Sequence, residues 1–295
     1  MTENRRRVII NTDAKNEADD QFAIVHALLS ETLEVRGLVA AHFGDARSQT
    51  SMLDSRKEID LLLDYMGREE VRVENGAEAA IPDESTPLDS PGARLIIDEA
   101  KKADEGPLQI AFLGPLTDMA SAILLDPSIV ESDTTIIWIG GPAYGNLQTF
   151  SWPEFNLSND IAAANVVFRS GMTVWQVPQP AYRATGVGYA ELDEKVAPCG
   201  PLGKYLVQQL KEWNSTWVKQ PIEFRALGDS PAVGLMLNPD AGLFELVPAP
   251  TFSPEGGMLP GGHHTVRVCH IYDARYLFED FFAKLRRFAA EDQRS

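Results

Sequence analysis

The chain has 295 residues, 44% of them hydrophobic, and a formal net charge of −17 from 26 basic and 43 acidic side chains. That length and apolar content can bury one large α/β core, and the acidic excess argues against nucleic acid or an anionic membrane surface as partner. No run reaches the roughly 18 apolar residues of a membrane helix, and no apolar signal core precedes the first strand, so a cytoplasmic protein is expected.

The first apolar run ends in Asn11-Thr12-Asp13. A polar loop follows, and Asp19-Asp20 then open a segment of helical spacing that runs to Leu29. Arg5, Arg6 and Arg7 ahead of the run read as a solvated tail. Glu34–Phe43 reads as a second strand, Ser48–Met66 as an amphipathic helix and Val71–Val73 as a short strand. Ile81–Pro91 reads as a loop and Ala93–Ala103 as a helix. Leu108–Leu113, Thr134–Ile139 and Thr173–Val177 read as strands, the helices Leu116–Leu125 and Asp160–Ser170 falling in the two gaps between them. The strands are apolar without alternation, which means both faces are covered, as in a parallel sheet between helices. Ala143–Leu157 is a long loop of the kind that usually carries function. Beyond Pro180 the pattern thins to an ambiguous helical subregion over Ala181–Gly203 and a helix over Lys204–Val218. A short helix follows Asp229-Ser230-Pro231, strands are expected at Phe244–Val247 and Val266–Ile271, and a helix over Asp273–Ala290 closes the chain. Pro248–Gly262 is a connection. The fold class is therefore α/β, an open, mostly parallel sheet flanked by helices, in one domain spanning 1–295, with a helical addition in the C-terminal third.

Cys199 and Cys269 are too few and too isolated for a disulfide framework or a zinc site. Asp13, Asp19 and Asp20 are different. Three carboxylates gathered where a strand meets a helix repel one another unless a cation or protons compensate, and carboxylate and carbonyl oxygens suit a hard cation such as calcium or magnesium. The position just beyond a strand's carboxyl end is also where open α/β sheets bind ligands.

Three further segments place oxygen or hydroxyl-binding groups after a strand or at a helix start: Gly114–Asp118 (GPLTD), Glu154-Phe155-Asn156, and Gly228–Val233 (GDSPAV). With the first motif, this ordered set resembles the inosine-uridine nucleoside N-ribohydrolase family across nearly the whole chain. That family carries Asp-x-Asp-Pro-Gly-x-Asp-Asp after its first strand, then Gly-Pro-Leu-Thr-Asn, Glu-Phe-Asn and His-Asp-Pro-x-Ala-Val. The resemblance implies calcium-dependent hydrolysis of the N-glycosidic bond of a ribonucleoside or related N-riboside, in nucleoside salvage, by a homo-oligomer (dimer or tetramer). It implies calcium ligands at Asp13, Asp20, the main-chain carbonyl of Thr117, and Asp229, with Asp13 also the general base. Asp19 and Asn156 match positions that hold the ribose 2′ and 3′ hydroxyls. Glu154 and Asn146 match groups around the 5′ hydroxyl, Asp45 stands near the metal where many relatives have Asn, and Trp152 is a candidate to stack on the base.

The chemistry suits these residue types, because cleavage passes through an oxocarbenium-like sugar that carboxylates stabilise. The departures are specific. Pro-Gly of the first motif is replaced by a longer loop, Ala14–Ala18; its leading Asp is Asn11; and the His before the last Asp is Gly228, which removes the leaving-group acid of the His-bearing members. Asn11 also argues against a phosphoryl-transfer hydrolase, since an amide cannot be the nucleophile that such an enzyme needs there. A calcium-dependent nucleoside- or sugar-binding protein that has lost catalysis is the alternative.

Overall fold

The computed structural model describes residues 5–292. In chain order its elements are β1 (Arg6–Thr12), α1 (Asp20–Leu28), β2 (Leu33–Ala40), α2 (Ser51–Met66), β3 (Val73–Asn75), α3 (Pro91–Ala100), β4 (Leu108–Phe112), α4 (Thr117–Leu125) and β5 (Thr134–Ile139). They continue with α5 (Phe155–Asn159), α6 (Ile161–Arg169), β6 (Thr173–Val177), α7 (Gln179–Ala184), β7 (Gly186–Gly188), α8 (Tyr189–Lys195) and α9 (Gly200–Trp217). The last are β8 (Phe224–Ala226), α10 (Ser230–Leu237), β9 (Gly242–Pro248), β10 (Thr251–Phe252), β11 (Met258–Leu259), β12 (Thr265–Tyr272) and α11 (Ala274–Asp292).

Eight strands form one sheet in the order β3-β2-β1-β4-β5-β6-β12-β9. Every pairing is parallel except β12 with β9, so the expected open, mostly parallel sheet is what the chain forms. Two cores cover its faces. One gathers α1, α2 and the C-terminal helices; the other gathers α3, α4 and α6. Trp138 of β5 anchors the second core through edge-on contacts with Phe168 and Phe252, and its indole N–H donates to the Gly114 carbonyl at 3.1 Å. That bond ties the turn after β4 to the neighbouring strand.

The strand order reverses between β1 and β4, because β2 and β3 lie on one side and β5 and β6 on the other. The loops after β1 and β4 therefore part at that point and leave a crevice, the usual ligand position in such sheets.

Differences from the sequence reading are local. The short strand lies at Val73–Asn75, where it pairs with Leu38–Ala40. The ambiguous stretch resolves into α7, β7 and α8, and α9 starts at Gly200 once Pro201 has set its first turn. The two-stranded pairs β7-β8 and β10-β11 are too short to show an alternation. Arg6 and Arg7 are no solvated tail. Arg7 is buried in β1 against Glu99 at 2.9 Å, and Arg6 donates to the Met236 carbonyl at 2.8 Å.

One buried knot joins the strand end to the helix behind it. Asn11 Nδ2 donates to Asp118 Oδ2 at 2.9 Å, while Asp118 Oδ1 accepts from the Ala77 amide and the Ser90 hydroxyl. The pattern that the sequence resembles has the acid and the amide exchanged at these two positions, so both arrangements keep one acid and one amide. Asn11→Asp alone should place two buried carboxylates face to face and cost about 3 kcal/mol or more. The double exchange Asn11→Asp with Asp118→Asn should recover most of it, as urea unfolding would measure; equal losses in the single and double variants would refute the pairing.

Candidate active site

Asp13 follows β1, and its carbonyl accepts the Asn16 amide at 2.8 Å, which starts the turn of the long loop. The loop is held from outside. Gln21 donates to the Ala14 carbonyl, Gln209 to Ala18, and the Trp213 indole to Asn16. Two of those anchors sit on α9, so the C-terminal helical addition buttresses the loop that departs from the family motif. Asp20 then opens α1 and Asp229 precedes α10, each at a helix start whose free amides favour negative charge.

These segments enclose a cavity of about 60 Å³ in the crevice between β1 and β4. Its lining includes Asp13, Glu17, Asp19, Asp20, Glu154 and Asp229, with Asn156, Tyr182 and Leu113 among the rest. Asp19, Asp20 and Asp229 each bring a carboxylate oxygen within 4.8 Å of the others. Asp20 accepts the Thr12 hydroxyl. Asp19 Oδ2 accepts the Gly228 amide at 2.8 Å. Asp13 Oδ2 is fully buried and has no hydrogen-bond partner.

Burial pushes the Asp13 and Asp229 carboxyls well above their ordinary range, and the neighbouring carboxylates push them further. Asp20 rises to about 7, chiefly by burial and then by the Asp19 charge. A divalent cation would relieve that repulsion and supply the partner that Asp13 Oδ2 lacks, and an all-oxygen donor set suits a hard ion. The residues present fit such an ion.

The other expected site residues divide. Asn156 reaches the cavity, and its amide donates to the carbonyls of Leu113 and Ile139 at 2.7 and 2.8 Å, bridging the ends of β4 and β5. Glu154 lines the cavity, but its oxygens already accept from the amides of Gly141, Asn156 and Leu157 and from the Tyr182 hydroxyl. Its carboxylate thus holds the loop closed around α5. Thr117 does not line the cavity. It lies three residues beyond the Gly114 turn, where its hydroxyl donates to Asp160 at 2.7 Å and meets His42 Nε2 at 2.8 Å. The residue at the strand end that does line it is Leu113. Asp45 borders a separate cavity beside His42. Asn146 and Trp152 lie exposed on the loop before α5 and do not line the site.

Sequence reasoning missed Asn16, Glu17 and Tyr182. Glu17 is ion-paired with Arg225, which also stands 3.5 Å from Asp19 and stacks over Trp213 at 4.2 Å. The only sequence signal for Glu17 was an acidic residue inside an unusually long loop.

A model of the family described as inosine-uridine preferring nucleoside hydrolase matches residues 8–272. A protein named probable uridine nucleosidase 2 from Arabidopsis thaliana is 26% identical over 230 residues, covering 70% of this chain and 69% of that protein. Alignments with three further plant uridine nucleosidases span 54 to 57% of their own lengths. Among solved structures, a purine-preferring ribonucleoside hydrolase from Gardnerella vaginalis superposes with a TM-score of 0.79 at 22% identity, over 96% of this chain and 99% of that one. A plant nucleoside hydrolase gives 0.77 at 21%, over 95% and 99%. These structures share the fold.

The raised carboxyl pKa values fix the sign of a pH effect. Without a cation, a raised group contributes stability below its unfolded-state value near 4, and loses it as pH rises through the folded-state value, about 7 for Asp20. Calcium binding must displace those protons, so its stabilisation grows with pH. The rise in Tm on adding calcium to chelator-treated protein should be larger at pH 7.5 than at pH 5 and should vanish in Asp20→Asn. An increment independent of pH would count against the cluster as the binding site.

Proposed function

The chain belongs to the inosine-uridine preferring nucleoside hydrolase family, hydrolases acting on N-glycosyl bonds, and we propose that it hydrolyses a ribonucleoside or related N-riboside to base and ribose with calcium. The observation that carries this reading is the buried, unpartnered oxygen of Asp13 beside Asp19, Asp20 and Asp229. Asp13, Asp20 and Asp229 would hold the cation. The Leu113 carbonyl would complete the set in place of Thr117, since it has a lone pair left after accepting from Asn156. When bound, the cation supplies a lowered pKa for water and a fixed position for it beside the sugar.

The chain's own groups do the rest. Asp13, standing at the strand end, takes the proton from the attacking water. Asp19 and Asn156 flank the sugar hydroxyls. The surrounding carboxylates favour positive charge as it develops at C1′ in the oxocarbenium-like transition state. Glu154 and Tyr182 keep the loop before α5 closed over that side. Within the same proposal the protein is a cytoplasmic homo-oligomer acting in nucleoside salvage; the exposed Leu243, Leu246 and Ile271 on the edge pair β9-β12 support self-association.

Gly228 favours a second reading, a binding protein without turnover, because the position of the leaving-group acid is empty of any side chain. Turnover separates the two. With calcium, 4-nitrophenyl riboside should release 4-nitrophenol, and Asp13→Asn should lower kcat by about 10² to 10⁴ while the fold, read by circular dichroism, persists. Ribose binding without any release would establish the second reading instead.

A further inference from the structure

The cavity has no cationic acid to protonate a departing base. Its lining holds Asp13, Glu17, Asp19, Asp20, Glu154 and Asp229 but, among the described residues, no histidine, lysine or arginine. None of the histidines lines it: His26 is engaged with Asp280, His42 with Thr117 and His270 with Glu245, and His263 and His264 stand in the turn after β11. Tyr182 donates its hydroxyl to Glu154, and burial drives its pKa far upward, so it does not serve as an acid.

Gly228 is no simple deletion. A Cβ built there would stand 3.0 Å from the Tyr182 ring and 3.2 Å from Asp19 Oδ2, and the Gly228 amide is already spent on that oxygen. The space at Gly228 is closed by Tyr182 and bordered by the Asp19 carboxylate.

Charge completes the argument. A neutral nucleoside base that departs without a proton departs as an anion, into a cavity lined by six carboxylates. A bound divalent cation offsets only two of those charges. Arg225, outside the lining, is paired with Glu17 and stands 3.5 Å from Asp19, and Lys15 and Arg47 line the outer groove, so the negative excess is concentrated on Asp13, Asp20, Glu154 and Asp229 of the inner cavity. A leaving group that begins positive has the opposite fate: it is attracted as substrate and leaves neutral.

Resting on the hydrolase reading of this site, we propose that the preferred substrates are ribosides of a quaternary, cationic nitrogen heterocycle, an N-ribosylpyridinium being the simplest class. In the step, the oxygen of water bonds to C1′ and its proton passes to Asp13. The C1′–N bond breaks with both electrons returning to the ring nitrogen. The pyridine leaves neutral and no proton has to be delivered to it. Glu17 lines this cavity and also, with Asn16, the outer groove of about 380 Å³ that carries Lys15, Arg47, Trp213 and Trp217, so it stands where the two meet.

The test is a panel of nicotinamide riboside, uridine, inosine and 4-nitrophenyl riboside, assayed with calcium on the full chain. General-acid assistance is worth about 10² or more, so kcat/KM for nicotinamide riboside should exceed that for uridine and for inosine by at least about a hundredfold. A smaller ratio overturns the inference, as does cleavage of 4-nitrophenyl riboside without cleavage of the pyridinium; in either case the hydrolase reading stands. If none of the four is cleaved, the hydrolase reading fails and takes this inference with it. Glu17→Gln separates charge from packing, since it should reduce the ratio of kcat/KM for nicotinamide riboside over 4-nitrophenyl riboside by about tenfold, the worth of about 1.4 kcal/mol of lost attraction. An unchanged ratio would overturn the role of the carboxylate charge.

Discussion

Mutual repulsion among buried carboxylates at the carboxyl end of β1 is the constraint on which the rest of the site depends. Asp13, Asp19, Asp20 and Asp229 are each less than a tenth exposed. Packing such groups together raises the pKa of Asp13, Asp20 and Asp229, and a fold keeps so costly an arrangement only where something external offsets it. The sheet supplies the means of convergence. Its strand order turns at β1 and β4, two helices begin there, and a carboxylate at each helix start lines the same cavity as the one at the strand end.

The long loop after Asp13 is kept in place by contacts the compact family motif would not need. A Pro-Gly turn is stiff on its own; Ala14–Ala18 is not. Gln21 of α1 and Gln209 and Trp213 of α9 take three of the loop's carbonyls, and Arg225, stacked on Trp213, pairs with Glu17. The helical addition thus converts a flexible insertion into a fixed wall that carries an extra carboxylate into the cavity. Loop and helix are thus joined through Gln209 and Trp213 of α9, which hold the carbonyls of Ala18 and Asn16.

Much of this was legible in the sequence because unbroken apolar strands alternating with helices leave few alternatives to a parallel sheet. That Asp13, Asp20 and Asp229 line one cavity follows the same logic, since each abuts an element end. Thr117 misled because a helix start marks a motif without fixing which carbonyl faces the cavity; Gly114-Pro115 turns the chain first and leaves Leu113 there. Asn146 and Trp152 were misplaced because a loop's residues carry no periodicity that says which side faces inward. Glu17 and Tyr182 come from segments with no motif, brought in by tertiary packing alone.

What separates the acids at this end of the sheet is the number of donors each one meets. Asp118 receives three, from Asn11, Ala77 and Ser90, and Asp160 receives three, from Ile81, Thr117 and Ala163. Glu154 receives four. Each of these is as buried as Asp13, yet each has its lone pairs engaged by the protein and so acts as a clamp. Asp13 keeps one oxygen with no donor. Burial alone therefore does not set Asp13 apart from these acids; burial with an unspent lone pair does, and that distinction depends in part on backbone amides that no side-chain pattern reveals.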